Sequence, residues 1–302
     1  KTYTAGSGQI KRAIGVVPFD IPAGQIVGFL GPNGAGKTTT LHLVLGLTRP
    51  TSGSIQVLGH DATKAGNAVR HQIGYLPDVP GFPAWMTAPE FLRFAGSLFG
   101  IDKATLDSRV DSLLELAGLT GVNHKIGGFS RGMKQWLGAT QALVNAPKLL
   151  MLDEPTSALD PLGRKDVLTM IEALRGKATV LFSTHLLDDV ERICDSAVVL
   201  NQGHVLATGT ITQLRSRYDG AQKMRLVTDG DTAHVSALLE DEAWVGDVTI
   251  GGDAVVFAAD NADRVGKALL GFLASASLTL REYGPALFTL EDAFVLLTEE
   301  DR

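Results

Sequence analysis

The sequence predicts an α/β protein: a parallel sheet covered by helices, a helical insert, and a small C-terminal α+β unit. Three observations carry that prediction. The apolar runs QIVGFL (25–30), KLLMLD (148–153) and ATVLFSTH (178–185) each precede a helical pattern, as strands buried on both faces of a parallel sheet do. A helix-rich stretch, about 84–140, separates the first run from the other two. Beyond about residue 218 the pattern changes to short β-rich runs alternating with amphipathic ones.

The elements follow in order. After QIVGFL, the segment TLHLVLGL begins a helix. In the insert, Thr87 has Glu90 three residues on, the spacing of a capping box. The helix DSRVDSLLELAG closes on Gly118, placed to take the left-handed conformation that ends a helix. RSRYDGAQK (215–223) is polar, contains a glycine and reads as a linker. This divides the chain into 1–218 and 219–302. The second part reads as strand 224–228, helix 232–240, strands 244–250 and 254–259, helix 262–274 and strand 278–283. That order, β-α-β-β-α-β, is the ferredoxin-like split unit. A last helix, 290–299, takes Thr289 as its cap.

Bulk composition bounds the function. The chain has 302 residues, 45% hydrophobic and 20% charged, which suits globular domains with real cores. Its net charge of −6 argues against a nucleic-acid binder, whose footprint is basic, so no nucleic-acid partner is expected. Cys194 is the one cysteine, so no disulfide forms within the chain; it reads as a packed small hydrophobe. The most apolar segment, ALLGFLASASLTL (268–280), is too short to span a bilayer and reads as core helix then strand. No secretory signal pattern is read, and an opening on Lys1 rather than Met leads us to expect residues upstream.

GPNGAGKTT (31–39) matches the phosphate-binding P-loop pattern G-x-x-x-x-G-K-[ST] between a strand and a helix. The loop is Gly31, Pro32, Asn33, Gly34, Ala35, Gly36, Lys37, Thr38 and Thr39. Its glycines let the backbone wrap an anion, and the amides and helix N-terminus face the phosphates of ATP. Lys37 is placed for the β- and γ-phosphates and Thr38 for Mg²⁺. LLMLDEP (149–155) ends an apolar strand on two acids. A carboxylate at a buried strand end is costly without a cation, so Asp153 reads as the Mg²⁺ partner. Glu154 reads as general base for the attacking water. The alternative is that the two acids merely open the loop before Pro155.

Together these motifs resemble an ABC transporter ATP-binding subunit. The phosphate loop, FSRGMKQ (129–135), LLMLDEP, SALD (157–160) and STH (183–185) stand in that family's order over about 1–218. The resemblance implies a head-to-tail homodimer, or a paired ATPase subunit, in which Ser130 and Gly132 contact the γ-phosphate of ATP held by the opposite subunit. It implies that Asp160 lies at the dimer interface, that His185 reaches the γ-phosphate or the attacking water, and that Tyr3 stacks on adenine. The signature departs from the usual LSGGQ: Arg131 and Met133 replace a glycine and the glutamine. Arg131 either screens phosphate or faces solvent.

In the loop GYLPDVPGFPAWM (74–86), Asp78 stands where the family carries a glutamine that touches the metal or its water. No glutamine lies between Gln72 and Gln135. FTLEDAFVLLTEE (288–300) looks like the ending of exporter ATPases of the ABC-2 class. The implied protein is an ATPase at the cytoplasmic face of the cell membrane. Separate transmembrane permease subunits dock near 78–95, where Phe82, Trp85 and Met86 are either apolar docking residues or local core. The rival readings are a soluble ATPase acting on nucleic acid and a regulator that binds ATP without turnover. The C-terminal part is either a dimer brace or a ligand sensor.

Overall fold

A computed structural model describes residues 1–4, 10–15, 19–64, 69–216, 222–259 and 262–285, with Leu290, Glu291, Phe294 and Leu297. One compact unit spans Lys1–Ile211 and a second lies within Thr212–Leu296. The middle of the expected linker, 217–221, and the cap residue Thr289 lie outside the described residues.

The first unit opens with β1 (Thr2–Thr4) and β2 (Ile10–Arg12), an antiparallel pair. Then come β3 (Ile26–Leu30), α1 (Lys37–Val44), the short antiparallel strands β4 (Gln56–Val57) and β5 (His60–Asp61), and β6 (Ile73–Leu76). The insert supplies α2 (Ala88–Ser97), α3 (Lys103–Leu116) and α4 (Arg131–Leu143). It is followed by β7 (Leu149–Asp153), α5 (Pro161–Glu172), β8 (Thr179–Thr184), α6 (Leu187–Ile193), β9 (Ser196–Asn201) and β10 (His204–Thr210); α7 (Ile211–Ser216) starts at Ile211 and continues into the second unit.

Six of these strands form one sheet in the order β10-β9-β3-β8-β7-β6. Every pairing is parallel except β9 with β10. Strands β3, β7 and β8 are buried at every position, which is why their runs are apolar without alternation. One face packs a core that includes Phe29, Leu41, Met151, Leu181 and Leu200. Gly74 on β6 permits close approach of α4: a Cβ there would sit 1.9 Å from the Ala142 carbonyl oxygen. Because β3, β8 and β7 are neighbours, the loops leaving their carboxyl ends converge. The register sets Asp153 beside Ser183 and Leu30 beside Thr184.

The insert has its own core, including Leu92, Val110, Leu114, Ile126 and Leu137. The capping box forms as the sequence predicts. The Glu90 N–H donates to Thr87 Oγ1, and the Thr87 N–H donates to Glu90 Oε2. Gly118 takes φ +64°, and the Gly118 and Leu119 amides donate to the Glu115 and Leu114 carbonyls, closing α3 with a Schellman motif.

The second unit runs β11 (Gln222–Thr228), α8 (Thr232–Glu240), β12 (Val248–Gly251), β13 (Ala254–Ala259), α9 (Ala262–Ser275) and β14 (Leu280–Pro285). Its sheet is antiparallel in the order β12-β13-β11-β14, the ferredoxin-like arrangement. One strand is shorter than expected: β12 starts at Val248, not residue 244. Trp244 turns inward instead, its ring edge-on to Phe257 and Phe272 and its indole N–H donated to Glu242. This partly buried packing leaves residues 244–247 outside the ladder.

Candidate active site

The phosphate loop joins β3 to α1. Gly34 (φ +85°) and Gly36 (φ +105°) take backbone conformations that L side chains avoid, and at Gly36 a Cβ would stand 2.8 Å from the Ala13 carbonyl oxygen. Gly36 caps α1 without a side chain, so the first amides of the helix face the loop's hollow. Lys37, only 7% exposed, bends back and donates to the Gly31 carbonyl at 2.7 Å.

At the end of β7, Asp153 is buried and uses both oxygens. Oδ2 accepts from Thr38 Oγ1 at 2.8 Å, and Oδ1 accepts a short hydrogen bond from Ser183 Oγ. Thr38 and Asp153 thus place two hard oxygen donors side by side at the phosphate loop. Mg²⁺ characteristically takes one or two protein oxygens and completes its shell with substrate phosphates and water, so the donor set fits that ion. Among the described residues no cluster of three or more His, Cys, Asp or Glu is placed to hold a metal alone.

Glu154 takes φ +48°, a left-handed conformation uncommon for a non-glycine residue and costing about 1–3 kcal/mol. Its N–H donates to the Ser183 carbonyl at 3.0 Å, which holds the turn. The side chain is thereby aimed between Lys37 and His185. Lys37 Nζ lies 3.2 Å from Oε1, close enough for an ion pair but out of line for a hydrogen bond. His185 Nδ1 lies 2.9 Å from Oε2, with the imidazole 47% exposed. Lys37, Glu154 and His185, from three separate motifs, therefore form one contact chain.

Other expected residues take more distant stations. Ser130 caps α4 and accepts from the Met133 N–H at 3.2 Å, while Arg131 beside it is exposed. Gly132 is partly exposed, and a Cβ on it would meet Leu159 of the SALD segment at 3.5 Å. Asp160 is exposed and caps α5, accepting from the Gly163 N–H at 2.8 Å. Tyr3 lies on β1, and its side chain is outside what the structure describes. Asp78 is exposed two residues past β6. Burial, then the charges of Asp153 and Asp78, push the Tyr75 hydroxyl up to about 12, so Asp78 sits within electrostatic reach of the site's edge. The docking triplet divides: Trp85 is 71% exposed, whereas Phe82 and Met86 pack against the insert's core, Phe82 edge-on to Phe91. The bulk of the insert is apolar enough to claim those two side chains.

Two contributors escaped the sequence reading. Ser183, on β8, is the register partner of Asp153 on β7, and its hydroxyl donates to that carboxylate. Gln135, 2% exposed, donates to the Pro155 carbonyl at 3.2 Å, joining the helix of FSRGMKQ to the loop after Glu154. Nothing local in the sequence signalled either.

Residues 14–157 match the family model described as ABC transporter. The chain is 40% identical over 286 residues to the uncharacterized ABC transporter ATP-binding protein YxlF of Bacillus subtilis, covering 94% of each chain. It is 34% identical to Nod factor export ATP-binding protein I of Rhizobium meliloti, over 95% of this chain and 84% of that one. It also resembles a dimeric structure of a post-hydrolysis state of the ATP-binding cassette MJ0796 bound to ADP and Pi, with TM-score 0.64, 25% identity, and coverage of 70% and 95%. At this identity over nearly the whole of both chains, the chain belongs to the ABC transporter family, as one of its ATP-binding, ATP-hydrolysing proteins.

Proposed function

We propose that this chain powers an ABC-2 type exporter, working as a head-to-tail pair bound to separate transmembrane subunits at the cytoplasmic face of the membrane. The observation that carries the chemistry is the Lys37–Glu154–His185 contact chain beside the paired oxygens of Thr38 and Asp153. Lys37 and the α1 amides bind the phosphates. Glu154 accepts a proton from the attacking water. His185, already on Glu154 Oε2, orients that carboxylate and faces the γ-phosphate. Thr38 and Asp153 would hold Mg²⁺, with Asp78 at its outer shell; the ion supplies charge neutralisation for phosphoryl transfer. Phosphoryl transfer needs positioning and charge more than covalent help, and this site offers both.

Pairing is supported by the exposure of Ser130 and Asp160, each capping a helix whose N-terminus is open to a second chain's ligand. A dimeric relative and a relative named for export support assembly and direction. No helix among the described residues is long and apolar enough to cross a membrane. Val79, Trp85, Phe94 and Leu98 are exposed apolar side chains on and beside the 78–95 segment and suit a protein docking face.

The test is gentle detergent extraction of the tagged chain from its native membrane. Copurification of a polytopic subunit, lost on Trp85→Glu, is the expected result. Recovery as a free soluble ATPase, or with nuclease-resistant RNA, would overturn the assignment.

A further inference from the structure

Asp189, four residues after His185, is 1% exposed and plays no part in the chemistry described above. A buried carboxylate persists only where it is paired, and both of its oxygens are engaged. Oδ1 accepts from Arg164 Nε at 2.6 Å, and Oδ2 accepts from Thr156 Oγ1 at 2.8 Å. Asp189 and its two partners come from three segments. Thr156, 2% exposed, is two residues past Glu154. Arg164 follows Asp160 by four, and its N–H donates to the Asp160 carbonyl at 2.8 Å. Asp189 itself lies in the first turn of α6, the helix that His185 leads into. One side chain therefore ties together the loop of the base, the helix capped by the dimer-facing acid, and the segment of the histidine.

We propose that Asp189 is a positioning residue for hydrolysis, joining these segments into one rigid strut. Displacement at Asp160 then reaches Glu154 and His185 without being absorbed by the loop between. The geometry favours stiffness. Arg164 reaches Asp189 from one side and Thr156 from the other, and with both oxygens taken the carboxylate cannot rotate without losing a partner. This inference rests on the roles proposed for Glu154, Asp160 and His185.

The test compares Asp189→Asn, Thr156→Val and Thr156→Ser in the purified full chain by steady-state phosphate release, with Glu154→Gln alongside. Asparagine presents an N–H₂ to a site built of donors; valine removes the Thr156 hydroxyl at nearly constant volume; serine keeps it. The expected result is a kcat at least tenfold lower for Asp189→Asn and severalfold lower for Thr156→Val. KM for ATP should stay within twofold, and Thr156→Ser should hold the parental rate. Parental kcat in both Asp189→Asn and Thr156→Val overturns the proposal, as does a rise in KM matching the fall in kcat. If Asp189→Asn does not fold, the valine and serine pair decides alone. Glu154→Gln separates the two layers: parental turnover in that variant fails the base assignment, whereas its loss beside unimpaired Asp189 and Thr156 variants fails only the strut.

Discussion

Replacing Glu154 by glutamine tests the site at two levels, because that carboxylate serves as base and as counter-charge. As a base it is worth 10²–10⁴ in rate, which is about 3–5 kcal/mol of barrier. As a counter-charge it faces Lys37, which is 7% exposed and 3.2 Å away. Removing one partner of a buried pair costs about 3–5 kcal/mol, but Lys37 keeps the Gly31 carbonyl and glutamine keeps an oxygen in place, so about 1–2 kcal/mol is expected. For a unit of this size that lowers the melting temperature by about 2–8 °C. Bound ATP brings phosphates to Lys37, so saturating nucleotide should close most of the gap between variant and parent. The assays are thermal melting with and without MgATP, phosphate release, and sizing. The variant should melt lower chiefly without nucleotide, hydrolyse at least a hundredfold more slowly, and run as a dimer with ATP. Parental turnover together with a monomeric profile in ATP would refute the base assignment. Equal melting temperatures without nucleotide would refute the counter-charge.

Three further perturbations probe the scaffold and its edge. Gly74→Ala drives a Cβ into backbone 1.9 Å away and should cost about 1–3 kcal/mol in denaturant unfolding; a neutral result would mean α4 and β6 are free to separate. Hydrogen bonds from the Thr87 backbone and then its hydroxyl, with Lys125 nearby, hold the Glu90 carboxyl below its ordinary value. Its folded pKa is depressed, so the stabilisation is complete above the ordinary carboxylate range and fades as pH falls through the lowered value. Glu90→Gln should therefore be less stable than the parent at neutral pH, the two converging in acid; a constant offset would exclude the linkage. Asp78→Gln and Asp78→Ala should each shift the Mg²⁺ dependence of hydrolysis, and unchanged titrations in both would leave Asp78 an ordinary loop acid.

Much of this was legible because the signals were local. GPNGAGKTT specifies its turn chemistry within nine residues, and the buried strands announce themselves by lacking alternation. The capping box and Gly118 are contacts across three to five residues, and both are present. What escaped was non-local. Asp189 reads as one more acid in LLDDVERIC, since its partners lie 25 and 33 residues away. Gln135 looks like the tail of a signature loop until α4 packs it against Pro155. Trp244 misled for the opposite reason: its β-propensity suggests a strand, but edge-on packing against Phe257 and Phe272 outweighs local preference. Phe82 and Met86 looked available because a proline-rich loop hides the core beneath it.

The parallel run of β3, β7 and β8 also gives the molecule a quiet end. The six residues of β8 span about 20 Å, and His185 lies just past one end of them, with the tight turn at Gly176 just before the other. That turn is anchored by its own hydrogen bond to Gly24, and nothing lies within 4 Å of the Gly176 Cβ direction. A dye tethered at exposed Lys177, two residues before β8 begins, would sit at the opposite end of that strand from the histidine, clear of the catalytic loops. The strand thus becomes a built-in lever for reporting nucleotide state from a place where labels do no harm.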